Sequence, residues 1–156
     1  MKKNSKLQEA FKVRKKNNLN VIDMFSGCGG LSLGFQMAGY NIKGMIDFDE
    51  NSLETAEANN LAEHYLNLDL FEENWLDEFL KQINFSEVDI IVAGPPCQGF
   101  SLTGPRKLDD KRNQLYKAVY DLVLKSKPKA FLIENVKGMA TLYKGKVKED
   151  IVEQFS

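Results

Sequence analysis

Five short apolar runs recur along this chain, each followed by a turn signal. The runs span residues 19–25, 42–46, 64–70, 89–93 and 130–133. Stretches with helical spacing of apolar side chains lie between them, at residues 31–38, 53–59, 75–83 and 115–123. Strands that alternate with helices form parallel βαβ units. The predicted fold is therefore α/β, with a doubly wound, mainly parallel sheet.

Length and composition suit a single domain of an ordinary soluble protein. The 156 residues are 43% hydrophobic and 28% charged, which is enough to bury one core. Two cysteines and one histidine are too few for a four-ligand zinc site or a disulfide framework, so no metal and a reducing cytoplasm are expected. Residues 1–18 read as a basic leader without a signal peptide, and no membrane span is expected. The net charge of −1 gives no global argument for nucleic acid, so binding would need a local basic patch.

Two of the helical stretches place their apolar side chains on one face. The first has Trp75, Leu76, Phe79, Leu80 and Ile83 on one face. The second has Leu115, Ala118, Val119, Leu122 and Val123 on one face and ends before Pro128. Core packing explains the first pattern fully, and no function is needed there.

The first apolar run leads into a glycine turn with the sequence SGCGG at residues 26–30. A helical pattern follows, and Gly39 stands where a left-handed helix cap is expected. Strand, glycine turn and helix let backbone amides approach a ligand closely. The turn does not match G-x-G-x-x-G, because Ser32 occupies the place of the third glycine. It therefore predicts a ligand loop that is not built for a dinucleotide pyrophosphate.

Acidic residues follow the second and third runs. Asp47 is placed to accept hydrogen bonds from ribose hydroxyls, and Phe48 would offer an aromatic face to a flat ring. The alternative is a structural role, in which Asp49 or Asn51 caps the next helix. Asp69, after the third run, is equally well explained as a turn residue.

The fourth run ends in Gly94-Pro95-Pro96 and displays Cys97 beyond it. The prolines stop the strand and stiffen the loop, because they cannot donate to a ladder and have a fixed φ. A rigid thiol at the carboxyl end of a strand is a candidate nucleophile. The alternative is a small buried cysteine beside a structural turn. Glu134 follows the fifth run and supplies a carboxylate at the same predicted edge.

Three motifs in order make the sequence similar to the cytosine-C5 DNA methyltransferases. DMFSGCGGLSLGF (23–35), GPPCQGFS (94–101) and ENV (134–136) resemble the first, fourth and sixth motifs of that family. The resemblance covers roughly residues 19–150. It implies a Rossmann-like S-adenosylmethionine-dependent methyltransferase fold that acts on double-stranded DNA.

The resemblance also implies which residues bind S-adenosylmethionine. The cofactor-binding positions that it assigns are Asp23, Phe25, Ser26, Gly27, Cys28, Gly29, Gly30, Leu31, Asp47, Phe48, Asp69, Leu70, Pro96 and Leu115. Among these, Asp47 would hold the ribose, while Asp69 and Leu70 would contact the adenine.

The catalytic residues that the resemblance implies are Cys97, Glu134 and Arg112. Cys97 would add to C6 of the cytosine, and Glu134 would protonate N3. The target base must be flipped out of the duplex to reach the thiol. A basic loop holding Arg106, Lys107 and Lys111 in addition to Arg112 could contact phosphates, although a solvated surface loop explains those residues nearly as well.

The sequence departs from the family after the third motif. It has no QxRxR motif, target-recognition region or returning C-terminal segment, so residues 19–156 are expected to be a partial catalytic domain, incomplete at the C-terminus. The first hypothesis is a methyltransferase, of a bacterial restriction-modification type, that needs a complementing C-terminal half. The second is a non-catalytic cofactor-binding fragment. An RNA cytosine-C5 methyltransferase is a lesser alternative, because CQGFS resembles the DNA-acting members more closely.

Overall fold

The computed structural model describes residues 16–96, 115–134, 149, 152, 153 and 155. Within them, the strands are β1 (Asn20–Met24), β2 (Asn41–Asp47), β3 (His64–Asn67), β4 (Ile90–Ala93) and β5 (Ala130–Ile133). The α-helices are α1 (Gly30–Met37), α2 (Glu50–Ala58), α3 (Trp75–Leu80) and α4 (Tyr116–Ser126), and a short 3-10 helix spans Phe85–Glu87. Residues 97–114, which include Cys97 and Arg112, lie outside the described part of the chain, as do residues 1–15 of the predicted leader.

The strands form one parallel sheet in the order β3-β2-β1-β4-β5. The chain moves outward from β1 through β2 to β3, and then crosses back to place β4 on the other side of β1. The predicted doubly wound parallel α/β fold is therefore confirmed. Because all strands are parallel, their carboxyl ends share one edge, and the order reverses between β1 and β4. Open α/β sheets bind ligands beside that point.

Helices cover both faces of the sheet, and each face has its own core cluster. On one face Ile22, Ile46, Leu66 and Ile91 pack against Trp75 and Phe79 of α3 and against Val119 and Leu122 of α4. On the other face Val21, Ile42, Met45 and Val92 pack against Leu53 and Ala56 of α2. Alternate residues of β1 and β4 belong to different clusters, as expected for strands buried on both sides.

Strand β2 carries one irregularity that the alternation of the sequence did not predict. Val21 lies opposite Ile42, but the next residue, Ile22, lies opposite Gly44. Lys43 is therefore an extra residue in the ladder, which is the arrangement of a β-bulge. Its ammonium binds Glu63 at 2.9 Å and Glu87 at 3.0 Å, at the amino-terminal edge of the sheet.

Most predicted elements are found close to their predicted bounds, with two corrections. The third strand ends at Asn67 rather than at residue 70, so Asp69 and Leu70 lie in a loop. Leu80, predicted to face the core from α3, is 43% exposed, whereas Trp75, Phe79 and Ile83 are buried as predicted. Among the described residues, no helix combines the length and apolar character needed to cross a membrane.

Candidate functional site

A cavity of about 380 Å³ lies at the carboxyl edge of the sheet, beside the point where the strand order reverses. It is lined by Phe25, Asp47, Phe48, Leu68, Asp69, Leu70, Phe71, Gly94, Pro96 and Leu115. Seven of these residues were named as cofactor-binding from the sequence. The loops after β1, β2, β3 and β4 all contribute to the wall, and Leu115 reaches it from the start of α4.

The turn after β1 adopts the left-handed backbone conformation at three positions. Phe25, Gly27 and Gly29 have φ angles of 58°, 51° and 91°. A Cβ on Gly29 would overlap Cδ1 of Leu61, so this glycine is needed both for its φ and for close packing against Leu61, after α2, and Met45 of β2. A Cβ on Gly27 would meet open space, so its positive φ alone favours glycine there.

Asp47 ties the second strand to this glycine turn. Its Oδ2 accepts a hydrogen bond from the Gly27 amide at 2.7 Å, and its Oδ1 accepts one from the Asp49 amide at 3.0 Å. The Ser26 amide also donates to the carbonyl of Ile46, at 3.1 Å. Each carboxylate oxygen can accept a further bond. Asp47 therefore shapes the turn while one side of its carboxylate still lines the cavity.

The alternative role for Asp49 is realised in position only, because its side chain accepts no capping hydrogen bond from a backbone amide. It occupies the N-cap position of α2, and its carboxylate accepts a hydrogen bond from the Ser52 hydroxyl at 2.5 Å. This bond lowers the pKa of Asp49 below its usual range. The two neighbouring acids thus have different positions: Asp47 lies in the cavity wall, and Asp49 lies at the start of α2.

Two aromatic rings at the cavity are well exposed. Phe48 is 76% exposed and Phe71 is 49% exposed. Asn67 fixes the loop below Phe48 by donating to its carbonyl at 2.9 Å. Asp69 accepts a hydrogen bond from the Phe71 amide at 2.9 Å, so it serves as the turn residue that was its alternative interpretation and also lines the cavity.

The remaining cofactor-binding positions assigned from the sequence are not part of the cavity wall. Asp23 is fully buried, and its Oδ2 accepts hydrogen bonds from the amide and the hydroxyl of Ser32. Burial raises the pKa of Asp23 to about 6, against the lowering effect of those bonds. Leu31 packs on the core cluster of the opposite face. Ser26 is half-buried in the turn, Cys28 carries an exposed free thiol, and Gly30 begins α1.

Glu134 stands directly beside the cavity. Its amide donates to the carbonyl of Ala93 at 2.8 Å, continuing the pairing of β4 with β5 by one residue. A Cβ built on Gly94 would lie 3.9 Å from its Oε2, which places the carboxylate next to a residue of the cavity wall. Pro96 also lines the wall, and Cys97 is the next residue of the chain. Cys97 and Arg112 themselves lie outside the described residues.

Sequence reasoning missed three residues of the wall, Leu68, Phe71 and Gly94. Gly94 belongs to the quoted GPPC motif, so its place at the end of β4 was available as a signal. Leu68 and Phe71 flank the Asp69-Leu70 pair, but apolar side chains after a strand are equally well explained by core packing.

The chemistry of the wall limits what the cavity can hold. Among its described residues are two carboxylates, three phenylalanines and further apolar side chains, but no lysine or arginine. Such a wall repels phosphates and suits a flat ring that carries hydroxyl groups or a positive charge. S-adenosylmethionine has an adenine, a ribose and a cationic sulfonium, so the residues fit it. Among the described residues no cluster of three or more His, Cys, Asp or Glu suited to a metal ion was found.

Comparison with known proteins gives a family match over most of the chain. The family model of C-5 cytosine-specific DNA methylase matches residues 19–156. The type II methyltransferase M.DdeI of Desulfomicrobium norvegicum is 43% identical over 141 residues, and M1.HphI of Haemophilus parahaemolyticus is 39% identical over 141 residues. Each alignment covers 88% of this chain but only 33% and 38% of the respective relative. The chain thus spans about a third of the length of these relatives.

Solved structures agree with this match. A DNA modification methyltransferase encoded within an E. coli prophage superposes with a TM-score of 0.69 at 36% identity, covering 87% of this chain and 37% of that one. The Dnmt2 methyltransferase of S. pombe superposes with a TM-score of 0.56 at 24% identity, covering 87% of this chain and 41% of that one. At that identity the second similarity shows the fold alone.

Proposed function

This chain belongs to the C-5 cytosine-specific DNA methylase family, and we propose that it is the cofactor-binding and catalytic portion of an enzyme that methylates C5 of cytosine in double-stranded DNA. The observation that carries the proposal is the cavity at the carboxyl edge of the sheet. Its acidic and aromatic wall lies beside Glu134 and ends one residue before Cys97. The methyl donor would be S-adenosylmethionine. Because relatives of this chain are type II methyltransferases, we place the enzyme in a restriction-modification system.

In this proposal the cavity wall holds the donor. Asp47 accepts hydrogen bonds from the ribose hydroxyls, since its buried carboxylate is already fixed by the Gly27 and Asp49 amides. Phe25, Phe48 and Leu70 offer apolar surface to the adenine. When bound, S-adenosylmethionine would supply an electrophilic methyl group on a cationic sulfur.

The catalytic roles follow from the chemistry of the cytosine ring. The thiolate of Cys97 forms a bond to C6, and the electron pair of the C5–C6 double bond becomes available at C5. Glu134 donates a proton to N3, which neutralises the charge that this attack pushes into the ring. C5 would then take the methyl group of the donor, with S-adenosylhomocysteine as the leaving group. Loss of the C5 proton to a water molecule restores the C5–C6 double bond and expels the thiolate from C6, while N3 returns its proton to Glu134. Arg112 is proposed to bind the substrate beside the thiol.

DNA would have to present the cytosine outside the base stack, which costs a few kcal/mol. The net charge of the chain does not favour binding to DNA, because it is only −1. The basic residues Arg106, Lys107, Lys111 and Arg112 follow Cys97 closely in the sequence and are proposed to contact phosphates around the flipped base.

The short span of the chain supports a second candidate. Since it covers about a third of its relatives, it could bind the cofactor without completing a turnover. The complementing C-terminal half belongs to the first candidate, in which it is the partner that catalysis requires.

Two measurements separate these candidates. Calorimetry would measure the affinity of the chain for S-adenosylhomocysteine. Transfer of a labelled methyl group would then be measured to duplex DNA and to RNA of the same sequence. Each transfer assay would use the chain alone and the chain mixed with the portion of M.DdeI that lies beyond the aligned region, with Cys97→Ser as the inactive variant.

The catalytic proposal expects ligand binding and transfer to DNA in at least the mixed sample, with transfer lost in Cys97→Ser. Binding without transfer in any sample would support the non-catalytic candidate. Transfer to RNA but not to DNA would overturn the proposed substrate. Failure to bind the ligand would overturn the proposed function as a whole.

A further inference from the structure

Asp23 and Ser32 form a buried pair behind the glycine turn. Both side chains are 0% exposed. The Ser32 hydroxyl donates to Oδ2 of Asp23 at 2.7 Å, and the Ser32 amide donates to the same oxygen at 3.1 Å. The contact joins the end of β1 to the first turn of α1.

This pair closes the turn as a loop. Asp23 and Ser32 are nine positions apart, and the glycine turn lies between them. The turn also holds three left-handed residues, Phe25, Gly27 and Gly29, and a non-glycine residue in that conformation is disfavoured on its own. Such a backbone persists when its surroundings fix it. The Asp23–Ser32 contact fixes the two ends, while Asp47 fixes the middle through the Gly27 amide.

The position of Asp23 does not suit contact with a ligand. Its side chain is fully buried, and it is not part of the cavity wall. Its Oδ1 has no hydrogen-bond partner among the described residues. A buried carboxylate with incomplete hydrogen bonding is costly, and the two bonds that it does accept both come from Ser32.

We propose that Asp23 and Ser32 are a positioning pair, which holds the glycine turn in the shape that lets Phe25 and Asp47 line the cavity. Asp23 therefore acts through the turn rather than by touching the cofactor. The inference rests on the proposed function for the identity of the ligand, but the shape of the turn can be tested without one.

The experiment uses Ser32→Ala, which removes the hydroxyl and keeps the amide, and Asp23→Asn, which keeps the shape of the side chain. Asp89→Asn is the matched control. Its carboxylate accepts a hydrogen bond from the Asn20 amide at 2.9 Å, so it is bonded to the same strand β1 but at the amino-terminal edge. All variants would be studied at a temperature at which urea titration shows them folded.

Two readouts are needed. Hydrogen exchange should rise about tenfold or more at residues 26–32 in Ser32→Ala, which loses a hydrogen bond to a charged group. It should also rise in Asp23→Asn, because the amide oxygen is a weaker acceptor and the new NH2 group is buried at the position where Oδ1 has no partner among the described residues. It should not rise there in Asp89→Asn. The dissociation constant for S-adenosylhomocysteine should rise about tenfold in the first two variants and less than about twofold in the control.

Unchanged exchange in the turn of Ser32→Ala would overturn the inference, even if Asp23→Asn failed to fold. Faster exchange with unchanged ligand affinity would also overturn it, because the turn would then be irrelevant to the cavity. The parent chain could bind no ligand while hydrogen exchange at residues 26–32 still rises in Ser32→Ala and Asp23→Asn. The proposed function would then fail, but the inference that this pair holds the shape of the turn would stand.

Discussion

Single residues at the cavity show what the fold keeps available for a ligand. Phe48 and Phe71 expose 76% and 49% of their surface, although aromatic side chains usually bury most of theirs. Asn67 and Asp69 hold the backbone beneath these two rings through hydrogen bonds at 2.9 Å. The rings are thus presented by fixed loops, which lowers the entropy lost when a flat ligand binds against them.

Replacing Phe71 by alanine tests whether this second ring belongs to the binding surface. The affinity for S-adenosylhomocysteine should fall about tenfold, since stacking on an aromatic ring contributes on the order of 1 kcal/mol beyond the lost area. Calorimetry would measure it. Leu124→Ala is a suitable control, because Leu124 is 54% exposed on α4 and is not part of the cavity wall. Equal affinities in both variants would show that Phe71 does not contact the ligand.

Asp23 should make the stability of the chain depend on pH in an unusual direction. Its pKa is raised from 3.8 to about 6 in the folded chain, chiefly by burial. The folded state therefore holds this proton more tightly than the unfolded state does. The resulting stabilisation is complete below pH 3.8 and is lost as the pH rises through about 6. Its size is about 3 kcal/mol, from a shift of about two units at 1.36 kcal/mol each.

Urea unfolding of the parent chain and of Asp23→Asn at pH 4 and pH 7 would measure this contribution. Contributions from the other acids cancel in the comparison. The parent should lose about 2.4 kcal/mol more than the variant between the two pH values, which is less than the full effect because the unfolded carboxyl is still partly ionised at pH 4. The same pH dependence in both proteins would mean that Asp23 titrates normally.

At the scale of elements, the two edges of the sheet carry different kinds of polar group. At the amino-terminal edge, Lys43 binds Glu63 and Glu87, and Lys129 binds Asp89 at 2.7 Å. The hydrogen bonds between Lys43 and the two glutamates raise the pKa of Lys43 and lower the pKa of Glu63 and of Glu87. At the carboxyl edge, Asp47 and Asp69 have backbone amides as partners and face a cavity. Paired ions fit a structural role, whereas carboxylates open to a cavity fit a ligand.

Gly44 follows the bulge in β2 and is closely packed. A Cβ at this position would lie 2.5 Å from Cδ1 of Ile83 and 3.3 Å from Cδ1 of Ile22, and both isoleucines are fully buried. Gly44→Ala should therefore lower the free energy of unfolding by about 1–3 kcal/mol through overpacking.

Gly34→Ala is the matched control for this prediction. Gly34 lies exposed within α1, and a Cβ there meets nothing within 4 Å. The substitution should raise the free energy of unfolding by about 0.5–1 kcal/mol through helix propensity. Urea titration of both variants gives the comparison. Stabilisation by both alanines would contradict the tight packing at Gly44.

Sequence periodicity predicted the order and kind of the elements, because strand and helix patterns alternate cleanly. It could not predict the bulge at Lys43. The extra residue puts Ile42 and Met45, three positions apart, on the same face, but β2 is apolar on both faces, so its sequence shows no break in an alternating pattern. It also extended β3 to residue 70, because Leu68 and Leu70 continue the alternation of that strand. In the structure both side chains line the cavity instead. The wall of a ligand site and a buried strand are thus built from the same types of apolar residue, and the sequence pattern does not distinguish them.

At the scale of the whole molecule, the site is a product of topology. Residues far apart in sequence, from Phe25 to Leu115, meet at the cavity because parallel strands place all their carboxyl ends at one edge. Strand-end acids could therefore be predicted as neighbours from the sequence. The distinction between Asp47 in the wall and Asp23 behind it could not, since both follow the same pattern and differ only in what packs around them.

The charge of the cavity wall leads to a prediction for the whole chain. A ligand that binds only the folded state raises its free energy of unfolding by about 2.7 kcal/mol at one hundred times its dissociation constant. S-adenosylhomocysteine should do so, because the wall offers Asp47, Asp69 and apolar rings to its ribose and adenine. NAD shares that adenosine but adds a pyrophosphate. The two carboxylates of the wall would repel the pyrophosphate, and no described residue of the wall offers it a positive charge. Urea titrations with each ligand at equal concentration would compare them, and equal stabilisation by NAD would show that the wall does not select against phosphate.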